Sequence, residues 1–327
     1  INGPDEGRRA VRKLVKDGIQ WVKTYPTGDA AAPDTNDHHT LCMTFDEMHA
    51  VAHMRYDPHV GLPRLVDLFA GYGIPITCFV PGWVIEAYRR PVEYILTRPN
   101  EIAHHGYFHE WPRDQDRARE RETLVAGAAR ITELTGKPPV GYRAPYYGLS
   151  RHSFDLLVEE GFLYDSSLFA DDVPIVLEAA RGRLIELPPP AAVDDYNQYV
   201  SSRAFDYLMT ISPPSRAIEV YRAEFDALWE LGGLFVPVWH PAVSGRPAQA
   251  AAIRTLVEHM LAKGGVWFAT LEDIARHVAV LIETGAWSPR IHKEWTTAAI
   301  RRSTPRVRWN SSRVDQSLWR RSKSSGW

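Results

Sequence analysis

The chain has 327 residues, 45% hydrophobic and 24% charged, with a formal net charge of −2. These are globular proportions and exclude a disordered, collagenous or disulfide-knot protein. No apolar run reaches the ~18 residues of a membrane helix, and two cysteines, Cys42 and Cys78, exclude a disulfide framework and point to a reducing, cytoplasmic compartment.

The start, Ile1-Asn2-Gly3-Pro4, has neither a basic nor an apolar leader region, so no secretion signal is expected. Residues 1–40 read as an N-terminal extension. It holds one amphipathic stretch, with Val11, Leu14, Val15, Ile19 and Val22 at helical spacing, and then a polar Gly/Asp/Pro loop. Residues 41–284 alternate short apolar runs with longer helical patterns. The runs are Leu41–Phe45, Pro75–Val80, Glu101–His104, Val140–Arg143, Leu184–Leu187, Leu234–Trp239 and Gly265–Thr270. Helices are predicted over 61–72, 83–97, 114–135, 150–160, 217–231, 248–263 and 271–282. The fourth starts on Ser150 as N-cap and stops at Gly161. Such alternation predicts parallel strands with helices outside, an α/β fold closing into a barrel of about seven units. Residues 285–327 read as a poorly ordered tail. From Pro289 onward it has ten Lys/Arg against two acidic residues, with no periodicity and no motif, so neither nucleic acid nor a membrane is an expected partner.

In such barrels the chemistry sits where strands end. The first run ends in Asp46-Glu47, two adjacent carboxylates. The third leads into His105 and His109, four apart, so that one tight turn aims both imidazoles at one point. Two imidazoles plus a carboxylate suit Zn²⁺ or a related divalent ion with an open water position. Arg143 ends the fourth run and is placed to hold a nearby carboxylate ionised. His240 ends the sixth, where a general acid is useful, and Asp194 and Asp195 are suited to set its tautomer and pKa. Each group alone has a bland reading: a structural histidine, a surface ion pair, or acidic residues at a helix start. Their occurrence at four separate strand ends favours a shared site. His49 and His53, also four apart, have no converging partner and read as incidental.

Residues from about 54 to 280 resemble the polysaccharide deacetylase (NodB-homology) family, in the branch of peptidoglycan deacetylase-like enzymes, a metal-independent allantoinase and cyclic imide hydrolases. The strings that carry the resemblance start with Arg55-Tyr56-Asp57-Pro58-His59-Val60-Gly61-Leu62-Pro63-Arg64-Leu65, Phe79-Val80-Pro81-Gly82-Trp83 and Glu101-Ile102-Ala103-His104-His105-Gly106-Tyr107-Phe108-His109-Glu110. They continue with Gly141-Tyr142-Arg143-Ala144-Pro145, Gly161-Phe162-Leu163-Tyr164-Asp165-Ser166-Ser167-Leu168 and His240-Pro241-Ala242-Val243-Ser244-Gly245-Arg246-Pro247. The resemblance implies a distorted (β/α)₇ barrel that hydrolyses a C–N amide bond of a small amide, imide or N-acetyl sugar. It implies a divalent metal, expected to be zinc, on His105 and His109, with Arg143 holding the catalytic base, Asp195 tuning the acid and His240 being that acid. Tyr107, Tyr146 and Tyr196 are expected at the substrate. Homo-oligomerisation is left open.

The first motif departs from the family pattern. Where the branch has Phe-Asp-x-Asp, this chain has Phe45-Asp46-Glu47-Met48. Asp46 is then the expected base, and Glu47 the expected third ligand in place of the missing aspartate. Residues 1–53 instead resemble a fragment of a metal-dependent amidohydrolase, with Lys23 at the position of a carboxylated lysine. A catalytically impaired deacetylase from a fused or rearranged gene is the alternative reading.

Overall fold

The computed structural model describes residues 56–200 and 213–292. Its sheet has the order β1-β2-β3-β4-β6-β5-β7. The strands are β1 Thr77–Val80, β2 Glu101–His104, β3 Gly141–Tyr142, β4 Tyr164–Asp165, β5 Ile175–Ala179, β6 Gly182–Glu186 and β7 Ile291–His292. Pairing is parallel except in the β5–β6 hairpin. β2 is buried along its whole length, as expected of a strand covered on both faces.

Helices pack outside this sheet: α1 Leu62–Gly71, α2 Gly82–Ala87, α3 Arg89–Ile95, α4 Arg117–Thr135, α5 Ser153–Glu159, α6 Asp195–Tyr199, α7 Pro214–Leu231, α8 Pro241–Ser244, α9 Pro247–Lys263 and α10 Leu271–Glu283. Local chemistry sets their ends. The Asp116 carboxylate caps α4 by accepting from the Arg119 N–H at 2.9 Å. Pro214 and Pro247 open α7 and α9, where a missing N–H costs nothing. Thr270 caps α10 by accepting from Asp273 N–H at 3.1 Å. Apolar faces of α1, α7 and α9 meet through Leu65, Phe69, Ile218, Phe225, Leu256 and Val257. Each such side chain contributes roughly 1.5–3 kcal/mol on full burial.

Several expectations need correction. The helix predicted over 83–97 is two helices, broken at Tyr88 (φ −133°, ψ 45°). The Ser150 hydroxyl accepts from His152 N–H, so it stabilises the turn before α5, which begins at Ser153. Gly161 follows the last turn of α5 with φ +81°, as a stop residue should. Leu234–Trp239 joins no ladder among the described residues beyond one bridge, Asp194 to Val238. Its Val238 N–H goes to Val193 O at 2.9 Å. Gly265–Thr270 forms no strand. The sequence reading passed over β4, β5 and β7, and β7 falls within the stretch read as tail. Leu41–Phe45 lies outside the described residues.

Candidate functional site

Four chain segments deliver six of the predicted side chains to one cavity, lined among others by His105, His109, Arg143, Tyr146, Tyr196 and His240. His105 follows the last residue of β2. Its Nδ1 meets the Arg143 carbonyl at 2.7 Å, which makes Nδ1 the protonated nitrogen and leaves Nε2 with a lone pair. His109 sits 4.7 Å away, ring centre to ring centre, nearly edge to face. It holds a left-handed backbone, φ +62°, uncommon for a residue with a Cβ and characteristic of sites that aim a side chain. Burial lowers the pKa of both rings, with the neighbouring charges of His109 and His240 adding at His105; His109 falls to about 4. Both are therefore neutral at pH 7.

The adjoining His104 is a different kind of residue. Fully buried, it has Nε2 2.9 Å from Leu124 O and accepts at Nδ1 from Gly106 N–H at 3.1 Å. It holds the turn that carries His105.

Arg143 follows β3 and is buried. Its Nε donates to Ser166 O at 2.7 Å and one Nη to Ser166 Oγ at 2.6 Å, while the guanidinium lies 4.3 Å above the Phe79 ring. Ser167 beside it donates to Asp165 at 2.7 Å and accepts from Ala144 N–H at 2.8 Å. The Asp165–Glu186 carboxyl pair lies beneath. Burial raises both groups, and Glu186, further raised by Asp165, holds the proton.

Across the cavity, His240 caps α8 and its Nδ1 donates to Asp195 Oδ1 at 2.6 Å. The other Asp195 oxygen accepts from His240 N–H at 2.8 Å and Ser244 Oγ at 2.6 Å. Burial works against charge on His240. The Asp195 carboxylate and its hydrogen bond, helped by Asp194 and Asp57, outweigh burial and raise the imidazole to about 9. His240 is thus an imidazolium at neutral pH whose Nε2–H remains after Nδ1 is used.

Asp194, Asp195 and His240 bring ligand atoms within 4.8 Å of one another, a spacing that a metal ion also accepts. Their lone pairs are already engaged: Asp194 accepts from Tyr147 O–H at 2.6 Å and Tyr196 N–H at 2.9 Å. The His105–His109 pair fits a divalent cation better, both rings being neutral and adjacent, with His105 oriented through its Nδ1.

Tyr196 packs edge-on against His240 at 4.4 Å. Tyr146, φ +56°, is stacked on Trp111 at 4.4 Å and edge-on to His109 at 4.5 Å. Tyr107 is not brought to the cavity; its hydroxyl donates to Glu86 at 2.9 Å on the surface. Asp46 and Glu47 lie outside the described residues, as do Met48, Lys23, His49 and His53. Tyr147 and Ser166, which position Asp194 and Arg143, were not expected from the sequence, nor was Asp57, another cavity-lining carboxyl group.

Comparison with known proteins gives a consistent picture. The polysaccharide deacetylase family profile matches residues 34–164, a span that takes in Asp46 and Glu47. A peptidoglycan deacetylase of Helicobacter pylori is 30% identical over 242 residues, 66% of this chain and 83% of that protein. A crystal structure from Mycobacterium smegmatis, assigned to the polysaccharide deacetylases, is 40% identical with TM-score 0.69, over 75% of this chain and 84% of that one. An allantoinase crystal structure is 26% identical with TM-score 0.65, over 74% and 78%.

Proposed function

Because this chain belongs to the polysaccharide deacetylase family, whose members hydrolyse carbon–nitrogen amide bonds, we propose that it cleaves the amide of an N-acetyl sugar or a related small amide or imide. The observation that carries the reading is the Asp195–His240 pair at 2.6 Å, facing a pair of neutral imidazoles across the same cavity. A divalent ion held by His105, His109 and a carboxylate, Glu47 in our assignment, would supply Lewis acidity to the water and the carbonyl.

This chain's own groups account for the proton movements. Asp46 accepts the proton of the attacking water, its carboxylate kept ionised by Arg143. The imidazolium of His240 gives its Nε2 proton to the departing nitrogen as the C–N bond breaks. Asp195 holds the ring in the correct tautomer and stabilises its charge. The products are the carboxylate and the amine. Tyr146 and Trp111 offer an aromatic platform at the mouth, suited to the apolar face of a sugar ring.

The test is acetate release from N-acetylglucosamine oligomers and ring opening of a cyclic imide panel, with metal content measured in parallel. Turnover by the wild type, with His240→Ala inactive and still metal-loaded, is the expected result. Metal loss in His240→Ala, or wild-type protein inert toward every amide and imide offered, would overturn the assignment.

A further inference from the structure

One carboxyl group in the cavity enters the reaction just described only as the smallest named contribution to the charge of His240. Asp57 opens the helical turn Asp57–Gly61 that leads into α1, and it lines the cavity together with His240 and Tyr196. Its side chain has no hydrogen-bond partner among the described residues. A carboxylate that lines the cavity can accept a hydrogen bond from a molecule bound there.

Its placement is fixed. The turn Asp57–Gly61 packs on α8, the short helix that His240 caps. Gly61 and Gly245 meet so closely that a Cβ on Gly61 would stand 2.1 Å from Pro241 O, and one on Gly245 would stand 2.4 Å from Gly61 Cα. The Tyr56 hydroxyl donates to Gly245 O at 3.1 Å, and Arg64 donates to the same oxygen. The Arg246 guanidinium covers the Tyr56 ring at 3.6 Å. Asp57 is therefore held beside His240 by backbone-to-backbone contact.

The electrostatics place it on the same side. Burial raises the Asp57 carboxyl to about 6, opposed by His240 and assisted by Asp195. Tyr88 and Tyr196 also lie in its field. Asp57 thus flanks the proton donor, the side from which the amine departs.

We propose that Asp57 is a specificity residue that accepts a hydrogen bond from a hydroxyl or N–H group on the amine half of the substrate. This rests on the amide-hydrolase reading above and narrows it. A carboxylate there favours an amine half rich in donors, such as an amino sugar or a cationic amine. It leaves a purely apolar amine without benefit and repels an anionic one, such as an N-acyl amino acid. The ammonium product is also held there until release.

The experiment compares wild type, Asp57→Asn and Asp57→Ala on two amides with the same acyl group: an N-acetylglucosamine oligomer and N-acetylcyclohexylamine, which has no other donor. A second readout, calorimetric binding of glucosamine, does not require turnover. The expected result for Asp57→Ala is a rise in KM of about tenfold or more for the sugar with kcat within about twofold, the scale of one lost charge-assisted hydrogen bond. N-acetylcyclohexylamine should change by no more than about twofold, the margin left for the small contribution of Asp57 to the charge of His240, and glucosamine binding should weaken by a factor similar to that for the sugar amide. Equal losses on both amides would overturn the proposal in favour of a role through His240, and so would unchanged glucosamine binding. If wild type hydrolyses neither amide, the proposed function fails on its own, while weaker glucosamine binding by Asp57→Asn still decides the role of Asp57.

Discussion

His240 departs from the behaviour of a free imidazole in the direction that the proposed general acid needs. Its pKa rises to about 9, so the acid stays charged throughout the neutral range and is lost only as pH climbs through about 9. The expected kcat/KM profile therefore has an alkaline limb near that value. Asp195→Asn removes the carboxylate that outweighs burial, so the limb should move toward lower pH, and turnover at neutral pH should fall by about a hundredfold or more. A limb that stays in place in Asp195→Asn would mean that another group titrates. The altered first motif gives a second prediction. Glu47→Gln should strip metal on dialysis, while Asp46→Asn should keep the metal and abolish turnover. A gain of metal and activity in Met48→Asp, with Glu47→Gln silent, would make Met48 the damaged ligand position. His105, His109, Arg143, Asp195 and His240 were legible in the sequence because each lies at or near the end of an apolar run or beside a Pro-rich turn. Asp57 was not. A carboxylate opening a helix has an ordinary explanation in helix polarity, and its nearness to His240 arises only from packing between segments some 180 residues apart.

Among the elements, the turn Asp57–Gly61 and α8 meet too closely to admit an added methyl group on Gly61 or Gly245. Gly61→Ala and Gly245→Ala should each destabilise by about 1–3 kcal/mol through overpacking, read as a lowered melting temperature; Gly71→Ala, which meets nothing within 4 Å, is the control. Long elements were legible where hydrophobic period and end signals agreed, as in α1, α7 and α10. The strands passed over were those with little pattern. β4 and β7 have two residues each, too few for any periodicity, and β5 was lost because its hairpin partner, β6, was read as an isolated run. Trp239 and its neighbours looked like a strand because they are apolar and extended, yet their hydrogen bonds go to residues 193–195. Apolar pattern reports burial and does not identify the ladder partner.

At the scale of the whole molecule, stability should depend on pH through its buried histidines. His104 is wedged between a carbonyl on Nε2 and an N–H on Nδ1, an arrangement that only the neutral ring satisfies. Burial depresses its pKa to about 4. Between pH 6.5 and 4 the unfolded chain binds a proton that the folded chain refuses, so acidification through that window costs stability. His104→Gln offers a similar donor and acceptor but does not titrate. Its melting temperature should fall less steeply than wild type between pH 6.5 and 4, by a few degrees over the interval. Parallel slopes in the two proteins would contradict this account.

The seat of β7 on β5 bears on how this protein is made. Val176 and Leu177 take Ile291 and His292 as parallel neighbours, more than a hundred residues later in the chain. Synthesis is directional, and domains begin to fold as they emerge. The β5–β6 hairpin has its own partner as soon as residue 186 leaves the ribosome, but the other edge of β5 must wait until the chain has been read past residue 292. Throughout that interval β5 presents an unpaired edge, the kind of surface that recruits a wrong strand. A nascent chain stalled between residues 187 and 290 is therefore the form of this protein most in need of a chaperone.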